Sequence, residues 1–185
     1  MNIRLATVAD APQLLGIYAP YIEETAITYE YTVPTEAEFA GRIENTLKKY
    51  PYLVLEDEGE IKGYAYASPF RTRAAYAWCV ETSIYLRKDC RKKGYGKALL
   101  QKLEEMLKKQ NVLSVYACIS YAEEEDEILT HASIHFHEKM GYKKAAHVHS
   151  CGYKFERWFD LVIMEKMLGE HTKKPAPVKK PADKI

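Results

Sequence analysis

The feature that most constrains the fold is a glycine turn at residues 94–96, between a strand pattern and a helix pattern. Residues 80–86 alternate and are rich in β-branched and aromatic side chains, as in a strand. Leu99 and Leu103 follow on one helical face. The first turn of a helix has unpaired backbone N–H groups and a partial positive charge. The pattern therefore predicts a phosphate-binding turn, in which glycine allows close approach.

Two common phosphate-binding motifs do not fit this turn. The Rossmann fingerprint needs a third glycine and an acidic residue about 20 positions further on, and neither is placed correctly here. The P-loop ends in Gly-Lys-Ser/Thr, whereas Gly96 and Lys97 are followed by Ala98. The remaining pattern is Arg/Gln-x-x-Gly-x-Gly/Ala at residues 91–96. It resembles the acetyl-CoA signature of the GNAT superfamily of N-acetyltransferases.

The resemblance extends from Ile3 to about Met167 and is strongest to the phosphinothricin and L-amino acid N-acetyltransferase branch. The matching segments are residues 3–7, 76–85, 91–100 and 133–142, with a weaker match at 152–160. The resemblance implies an enzyme that uses acetyl-CoA as co-substrate and no metal. Its acceptor would be the amine of a small amino acid or analogue, such as phosphinothricin or methionine sulfoximine. It also implies direct attack in a ternary complex, and a homodimer.

The order of predicted elements is helix, helix, three strands, helix, strand, helix and two strands. This order matches the single-domain α/β fold of the resembled superfamily, a twisted, mostly antiparallel sheet with one splayed parallel pair, flanked by helices. Thr35 and Glu38 form a capping box that predicts the start of the second helix, and Pro20 predicts that the first helix kinks or ends there. We expect a domain at 1–169 and a disordered tail, rich in lysine and proline, at 170–185.

Size and charge exclude several classes of protein. The chain has 185 residues, with 27 basic and 26 acidic side chains. The balance argues against a general nucleic-acid or membrane-surface binder. No apolar run approaches the roughly 20 residues that cross a bilayer, and no signal peptide pattern is present, so we expect a cytoplasmic protein. The four cysteines lack C-x-x-C pairing and zinc-ligand spacing, which indicates reduced structural thiols.

Acetyl transfer to an amine needs a base, because an alkyl amine is mostly protonated at neutral pH. Glu81 lies within the strand that precedes the glycine turn. The resemblance assigns the general base to this glutamate, which would also contact the substrate. Partial burial would raise its pKa towards the working pH. The alternative is a surface carboxylate, or one paired with Arg73.

The resemblance also implies how the cofactor is bound. The strand that ends in Ile84, Tyr85 and Leu86, commonly bulged in this superfamily, would donate a backbone N–H to the developing oxyanion and pair with pantetheine. The turn would surround the pyrophosphate with Lys92, Lys93, Gly94, Tyr95, Gly96 and Lys97. Backbone amides are expected to contribute most, since each lysine is also explained by a solvated basic face.

His137 follows Ser133 by four residues in the predicted helix after the fifth strand. The resembled branch has histidine here where other superfamily members have tyrosine. His137 would either protonate the leaving thiolate or, with Ser133, only contact the cofactor. Thr130 replaces the usual asparagine nearby, and the preceding loop at 123–127 is unusually acidic.

The acceptor site is predicted from three residues. Arg73 and Tyr76 occupy positions where the resembled enzymes contact the substrate, and Tyr29 replaces a phenylalanine of the first loop. An arginine is the natural receptor for a substrate carboxylate, although neighbouring Arg71 competes for the role.

Three alternatives remain open at this point. They are a catalytically inactive acyl-CoA-binding or sensing module, an enzyme that acetylates a different small amine, and a protein that binds nucleic acid through the basic run 87–93. Release of CoA across a panel of amines separates the first from the enzyme, and steep salt dependence of duplex binding would identify the third.

Overall fold

The computed structural model describes residues 1–90 and 93–181, and these residues build a mixed sheet flanked by helices. The sheet has seven strands in the order β1-β2-β3-β4-β5-β7-β6. The strands are β1 (Asn2–Leu5), β2 (Tyr52–Asp57), β3 (Glu60–Pro69), β4 (Cys79–Leu86), β5 (Ser114–Tyr121), β6 (Lys143–Lys154) and β7 (Arg157–Met167). The helices are α1 (Ala11–Glu24), α2 (Glu36–Leu47), α3 (Tyr95–Lys109) and α4 (Ala132–Lys139).

All neighbouring strands in this sheet are antiparallel except β4 and β5, which run parallel. The expected α/β fold with a single parallel pair is therefore confirmed. The expected order of elements was wrong at its start, because β1 precedes the first helix. Four residues carry little periodicity of their own, and β1 is fixed by antiparallel pairing with β2.

Each face of the sheet has its own core, because successive side chains of a strand point to opposite faces. Leu53 and Leu55 of β2 pack with α3 on one face. Tyr52 and Val54 pack with α1 and α2 on the other. Glu81 and Tyr85 are four residues apart on β4, so their side chains lie on the same face of the sheet. Because Tyr85 packs in the core of α1 and α2, Glu81 lies on that face as well.

The first helix does not end at Pro20, because α1 continues to Glu24. Of the two expected outcomes at this proline, a kink or an end, the end was wrong. Ile17 lies before the proline and Ile22 after it, and both are buried in the same core. Burial on both sides offsets the cost of about 3 kcal/mol that proline imposes inside a helix. None of the helices in residues 1–90 and 93–181 has the length and apolar content of a membrane span.

The capping box of α2 is confirmed. The Glu38 backbone N–H donates to Thr35 Oγ1 at 3.2 Å, and the Thr35 backbone N–H donates to Glu38 Oε2 at 2.7 Å. Thr35 Oγ1 and Glu38 Oε2 thus accept hydrogen bonds from two backbone N–H groups at the start of α2 that have no partner within the helix.

Residues 170–181 contain no helix or strand. Several hydrogen bonds join them to the rest of the chain. Trp78 Nε1 donates to the Ala176 carbonyl at 2.7 Å, and Asn111 Nδ2 donates to the Pro177 carbonyl at 3.0 Å. Gln110 Nε2 donates to the Lys179 carbonyl at 2.9 Å and the Gln110 carbonyl accepts from the Lys179 N–H at 2.8 Å, while Ser114 Oγ lies 3.0 Å from His171 Nε2. Mobility of the tail stays a prediction.

Candidate active site

The parallel strands β4 and β5 separate partway along their length. They pair over residues 79–81 of β4 and 114–116 of β5, and the last pair is Glu81 with Tyr116. Strand β4 remains paired with β3 as far as Leu86 without a shift in register. Separation from β5, rather than the expected bulge, therefore frees the other edge of β4.

The direction of the freed amides follows from the hydrogen-bond pattern with β3. Bonded and non-bonded pairs alternate in an antiparallel ladder. The Arg87 N–H donates to the Lys62 carbonyl at 2.9 Å, so Arg87 belongs to a bonded pair. The non-bonded positions are therefore Leu86 and Ile84, and their N–H groups point away from β3. Both lie beyond the last pair with β5, and their amides face the gap between the strands.

The side chains of this segment are occupied by packing. Ile84 and Leu86 contact the core beneath α3. Tyr85 packs edge-on against Tyr18 and Tyr21, with ring centroids 4.8 and 5.2 Å apart. With these side chains packed, it is the backbone of Ile84 and Leu86 that faces the gap.

The two glycines of the turn have different surroundings. Gly94 precedes α3 with φ of 83°, and among residues 1–90 and 93–181, its chain neighbours apart, no atom lies within 4 Å of the position of an added Cβ. No side chain of the described part of the chain caps this helix, which leaves its first-turn N–H groups available to a ligand. At Gly96 an added Cβ would lie 3.4 Å from Phe136, an ordinary van der Waals distance, so packing against α4 does not by itself require glycine at this position.

Tyr95 anchors the turn to the sheet. Its side chain is buried, and its hydroxyl donates to Asp57 Oδ2 at 2.5 Å, which raises the pKa of Tyr95 to about 12. Lys93 and Lys97 are exposed beside it. Lys92 lies outside the described residues.

Glu81 stands at the point where the strands separate, half-buried on the face of α1 and α2. Burial raises the pKa of its carboxyl, while the neighbouring Cys118 thiol and the charge of Arg71 partly lower it. The ion pairs of the described residues include none between Glu81 and Arg73. The arginine whose charge acts on Glu81 is Arg71, which the sequence offered only as a competitor of Arg73 for the substrate carboxylate.

Sequence reasoning missed Cys118. The pairing of Glu81 with Tyr116 brings this residue of β5 next to Glu81, although the two are distant in the sequence. Burial and the charge of Glu81 raise the pKa of Cys118 to about 12, so the thiol is protonated at neutral pH. Burial also raises the pKa of the Cys79 and Cys90 thiols.

His137 is 3% exposed, and its Nδ1 lies 2.8 Å from the Ser133 carbonyl oxygen. Because a carbonyl only accepts, Nδ1 carries the proton and Nε2 is the acceptor. Nε2 is buried and has no hydrogen-bond partner among the described residues. Burial lowers the pKa of His137, which is therefore neutral at pH 7.

The three expected acceptor residues differ in their surroundings. The Tyr29 hydroxyl donates to the Asp160 carbonyl at 2.8 Å, and its ring packs where a Cβ on Gly152 would come within 2.3 Å. Arg73 and Tyr76 are exposed in the connection between β3 and β4. That connection leads directly into the strand of Glu81.

A cavity of about 310 Å³ lies on the same face of the sheet as Glu81. Its lining consists of Tyr18, Phe39, Arg42, Asn45, Thr46, Tyr52, Tyr64 and Tyr66. The charge of Glu81 contributes to the raised pKa of Tyr66, which is raised mainly by burial. Sequence patterns did not reveal this cavity, because its residues come from two helices and two strands.

The acetyltransferase (GNAT) domain family matches residues 3–163, and the chain belongs to this family. The phosphinothricin N-acetyltransferase of Streptomyces viridochromogenes is 31% identical over 97% of this chain and 93% of its own. The L-methionine sulfoximine/L-methionine sulfone acetyltransferase of Pseudomonas paraeruginosa is 36% identical over 89% and 92%. A phosphinothricin acetyltransferase from Sinorhizobium meliloti, solved in complex with acetyl-CoA, superimposes with a TM-score of 0.85 at 37% identity, covering 95% and 92%.

The chain is thus an N-acetyltransferase that uses acetyl-CoA. Acetyl-CoA supplies the acetyl group as an activated thioester. The residues present fit this co-substrate: an open glycine turn starts α3, and the amides of Ile84 and Leu86 face an unpaired gap. Buried His137 Nε2, which lacks a partner among the described residues, adds an acceptor in the helix that follows β5.

Proposed function

We propose that this enzyme acetylates the amine of a small amino acid or analogue of the phosphinothricin and methionine sulfoximine type, by direct attack in a ternary complex. The relatives named for these acceptors support the substrate class. The observation that carries the mechanism is Glu81, a half-buried carboxyl with a raised pKa at the point where β4 and β5 separate.

Glu81 is the proposed general base. A raised pKa brings the carboxylate closer to the working pH, where a base accepts a proton most effectively. The acceptor ammonium gives its proton to Glu81, directly or through a water, and the free amine attacks the thioester carbonyl carbon. The C–S bond then breaks, the CoA thiolate leaves, and the proton that the nitrogen loses in this step passes to the thiolate or to solvent. The tyrosine-lined cavity lies on the same face of the sheet as Glu81, and the charge of Glu81 acts on Tyr66 in its lining.

The backbone of β4 and the start of α3 are the proposed cofactor contacts. The N–H of Ile84 or Leu86 donates to the thioester oxygen as negative charge develops there, and their strand pairs with the pantetheine amides. The first-turn amides from Gly94 to Lys97 bind the pyrophosphate. Lys92, Lys93 and Lys97 add charge around it.

His137 and Ser133 are proposed to contact the cofactor. Since Nδ1 of His137 donates to the Ser133 carbonyl, the neutral imidazole offers an acceptor at Nε2 and no proton to transfer. His137 is therefore assigned an accepting hydrogen bond rather than the acid step.

Arg73 and Tyr76 are proposed to bind the acceptor carboxylate, with Tyr29 forming part of the wall. The exposed guanidinium of Arg73 is free to form a bidentate pair with a carboxylate. The Tyr29 hydroxyl is already bonded to Asp160, so its ring, rather than its hydroxyl, faces the ligand.

Direct attack is supported by the thiols. An acyl carrier needs a reactive thiolate, whereas burial raises the pKa of Cys79, Cys90 and Cys118. No cysteine in this set is suited to carry the acetyl group.

We also propose that the enzyme acts in the cytoplasm as a homodimer, without binding nucleic acid or membranes. The near-zero net charge supports the last point. Residues 1–169 are proposed as the catalytic domain and 170–185 as a mobile tail, because regular structure ends at Met167. Limited proteolysis that leaves an active 1–169 fragment checks this division.

The decisive experiment is Glu81→Gln, assayed by CoA release over a panel of amino acids, their analogues and polyamines. We expect kcat at neutral pH to fall by about 10²- to 10⁴-fold, with acetyl-CoA affinity almost unchanged. Glu165→Gln is the matched control, since Glu165 lies opposite Tyr116 on the next strand. An unchanged kcat in Glu81→Gln removes the base from the mechanism, and absence of CoA release with every amino acid overturns the acceptor class.

A further inference from the structure

A cluster outside the acetyl-transfer site joins two histidines of β6 to one carboxylate of β7. His147 Nε2 lies 2.7 Å from Asp160 Oδ2, and His149 Nδ1 lies 3.0 Å from the same oxygen. The histidines are two residues apart, so the period of a strand places both on one face. The sequence did not reveal the cluster, because Asp160 reaches it only through the pairing of β6 with β7.

The backbone is shaped around this carboxylate. The β6–β7 register is irregular between Val148 and Gly152, and Ser150 within this irregularity has a φ of 48°. The Ser150 N–H donates to Asp160 Oδ1 at 2.8 Å. That bond orients the carboxylate and leaves Oδ2 directed at the two imidazoles.

The three ligand atoms already have nearly the spacing that a metal ion requires. They lie within 4.8 Å of one another. Zinc bonds to histidine nitrogen and carboxylate oxygen are about 2.0–2.2 Å, which places neighbouring ligand atoms of a tetrahedral site about 3.3 Å apart. Small side-chain rotations achieve this geometry. The His149 side chain is 75% exposed, so an ion can enter from solvent and retain water as a fourth ligand.

We propose that His147, His149 and Asp160 form a binding site for a divalent transition-metal ion, with Zn²⁺ as the representative. Two imidazoles and one carboxylate suit Zn²⁺ and its neighbours, whereas Mg²⁺ and Ca²⁺ prefer oxygen ligands. The ion takes no part in acetyl transfer. Its role is to join β6 to β7, next to the Asp160 carbonyl that receives the Tyr29 hydroxyl.

One neighbouring charge opposes the ion. Lys144 Nζ lies 3.1 Å from His147 Nδ1, so the ammonium must move away when His147 Nδ1 carries the proton in the metal-bound form. Lys144 is exposed and has room to move. Removing its charge is therefore expected to tighten binding.

The test is a titration of the full chain, stripped with a chelator, with Zn²⁺ in competition with a chromophoric indicator. We expect one saturable site per chain. His149→Gln should weaken binding by at least the roughly 10- to 100-fold that loss of a supporting group around a metal costs. His135→Gln, which removes an exposed histidine of α4, should leave binding unchanged.

Two further variants test which neighbouring side chains influence the ion. Lys144→Gln should tighten Zn²⁺ binding, whereas Lys143→Gln, next to it on β6, should not. Cys151→Ser should retain the site, since the thiol is directed to the Val148 carbonyl at 3.7 Å. No saturable site in the wild-type chain, equal affinity in His149→Gln, or loss of binding in Cys151→Ser would overturn the proposal.

Discussion

Lys154 offers a quantitative test of how the loop carrying Tyr29 is held. Lys154 is 4% exposed, and its ammonium donates to three backbone carbonyls, those of Ile22 at 2.7 Å, Thr25 at 2.8 Å and Thr28 at 2.8 Å. Lys154→Met preserves most of the volume and removes all three donors. Each buried acceptor left unsatisfied costs about 1–3 kcal/mol, or about 3–9 kcal/mol together. Because burying an ammonium is itself unfavourable, the net loss lies at the lower end, about 3 kcal/mol.

The assay is urea denaturation followed by circular dichroism, with the free energy of unfolding taken from the midpoint and slope. Lys143→Met is the control, because Lys143 is exposed on the same strand, and it should change stability by less than about 0.5 kcal/mol. A loss below about 1 kcal/mol in Lys154→Met would refute the view that this ammonium fastens α1 and the following loop to β6.

Three further predictions test the site and one turn. Cys118→Ala removes a donor that favours the Glu81 carboxylate, so the pKa of Glu81 should rise further. Because the base form of Glu81 is lost as pH falls, the acid limb of the kcat/KM profile should move to higher pH. A limb that stays in place or moves to lower pH contradicts this. Gly94→Ala and Gly59→Ala impose similar strain, at φ of 83° and 79°, but calorimetry should find weaker acetyl-CoA binding only in Gly94→Ala. Glu156→Gly relieves a residue at φ of 59° and should stabilise the protein by about 1 kcal/mol, raising Tm by about 2–4 °C; an unchanged Tm would argue against strain there.

The sequence predicted those parts of the fold that depend on local chemistry. The glycine turn placed β4 before α3, and the side chains of Thr35 and Glu38 specified the start of α2 through their own hydrogen bonds. Strand β1 was not predicted, because pairing with a distant strand fixes it. The end expected at Pro20 did not occur, because tertiary burial outweighed a local preference.

The candidate site divides in the same way. The sequence identifies Glu81 and the backbone N–H of Ile84, because both lie on the strand that precedes the glycine turn. The neighbour of Glu81, Cys118, depends on the register between β4 and β5, which no short pattern encodes. The protonated nitrogen of His137 is likewise set by a helix carbonyl, and of the two roles that the sequence left open this contact favours the accepting one.

The short pairing of β4 with β5 affects the cohesion of the whole molecule. Only three residue pairs join the strands built from residues 2–86 to those built from residues 114–167. A ligand that forms hydrogen bonds to both strands beyond Glu81 lengthens this connection and acts as a substitute strand. For acetyl-CoA bound in the proposed position, occupancy of the gap and cohesion of the sheet are therefore two aspects of one interaction, and the enzyme without acetyl-CoA is the less cohesive form.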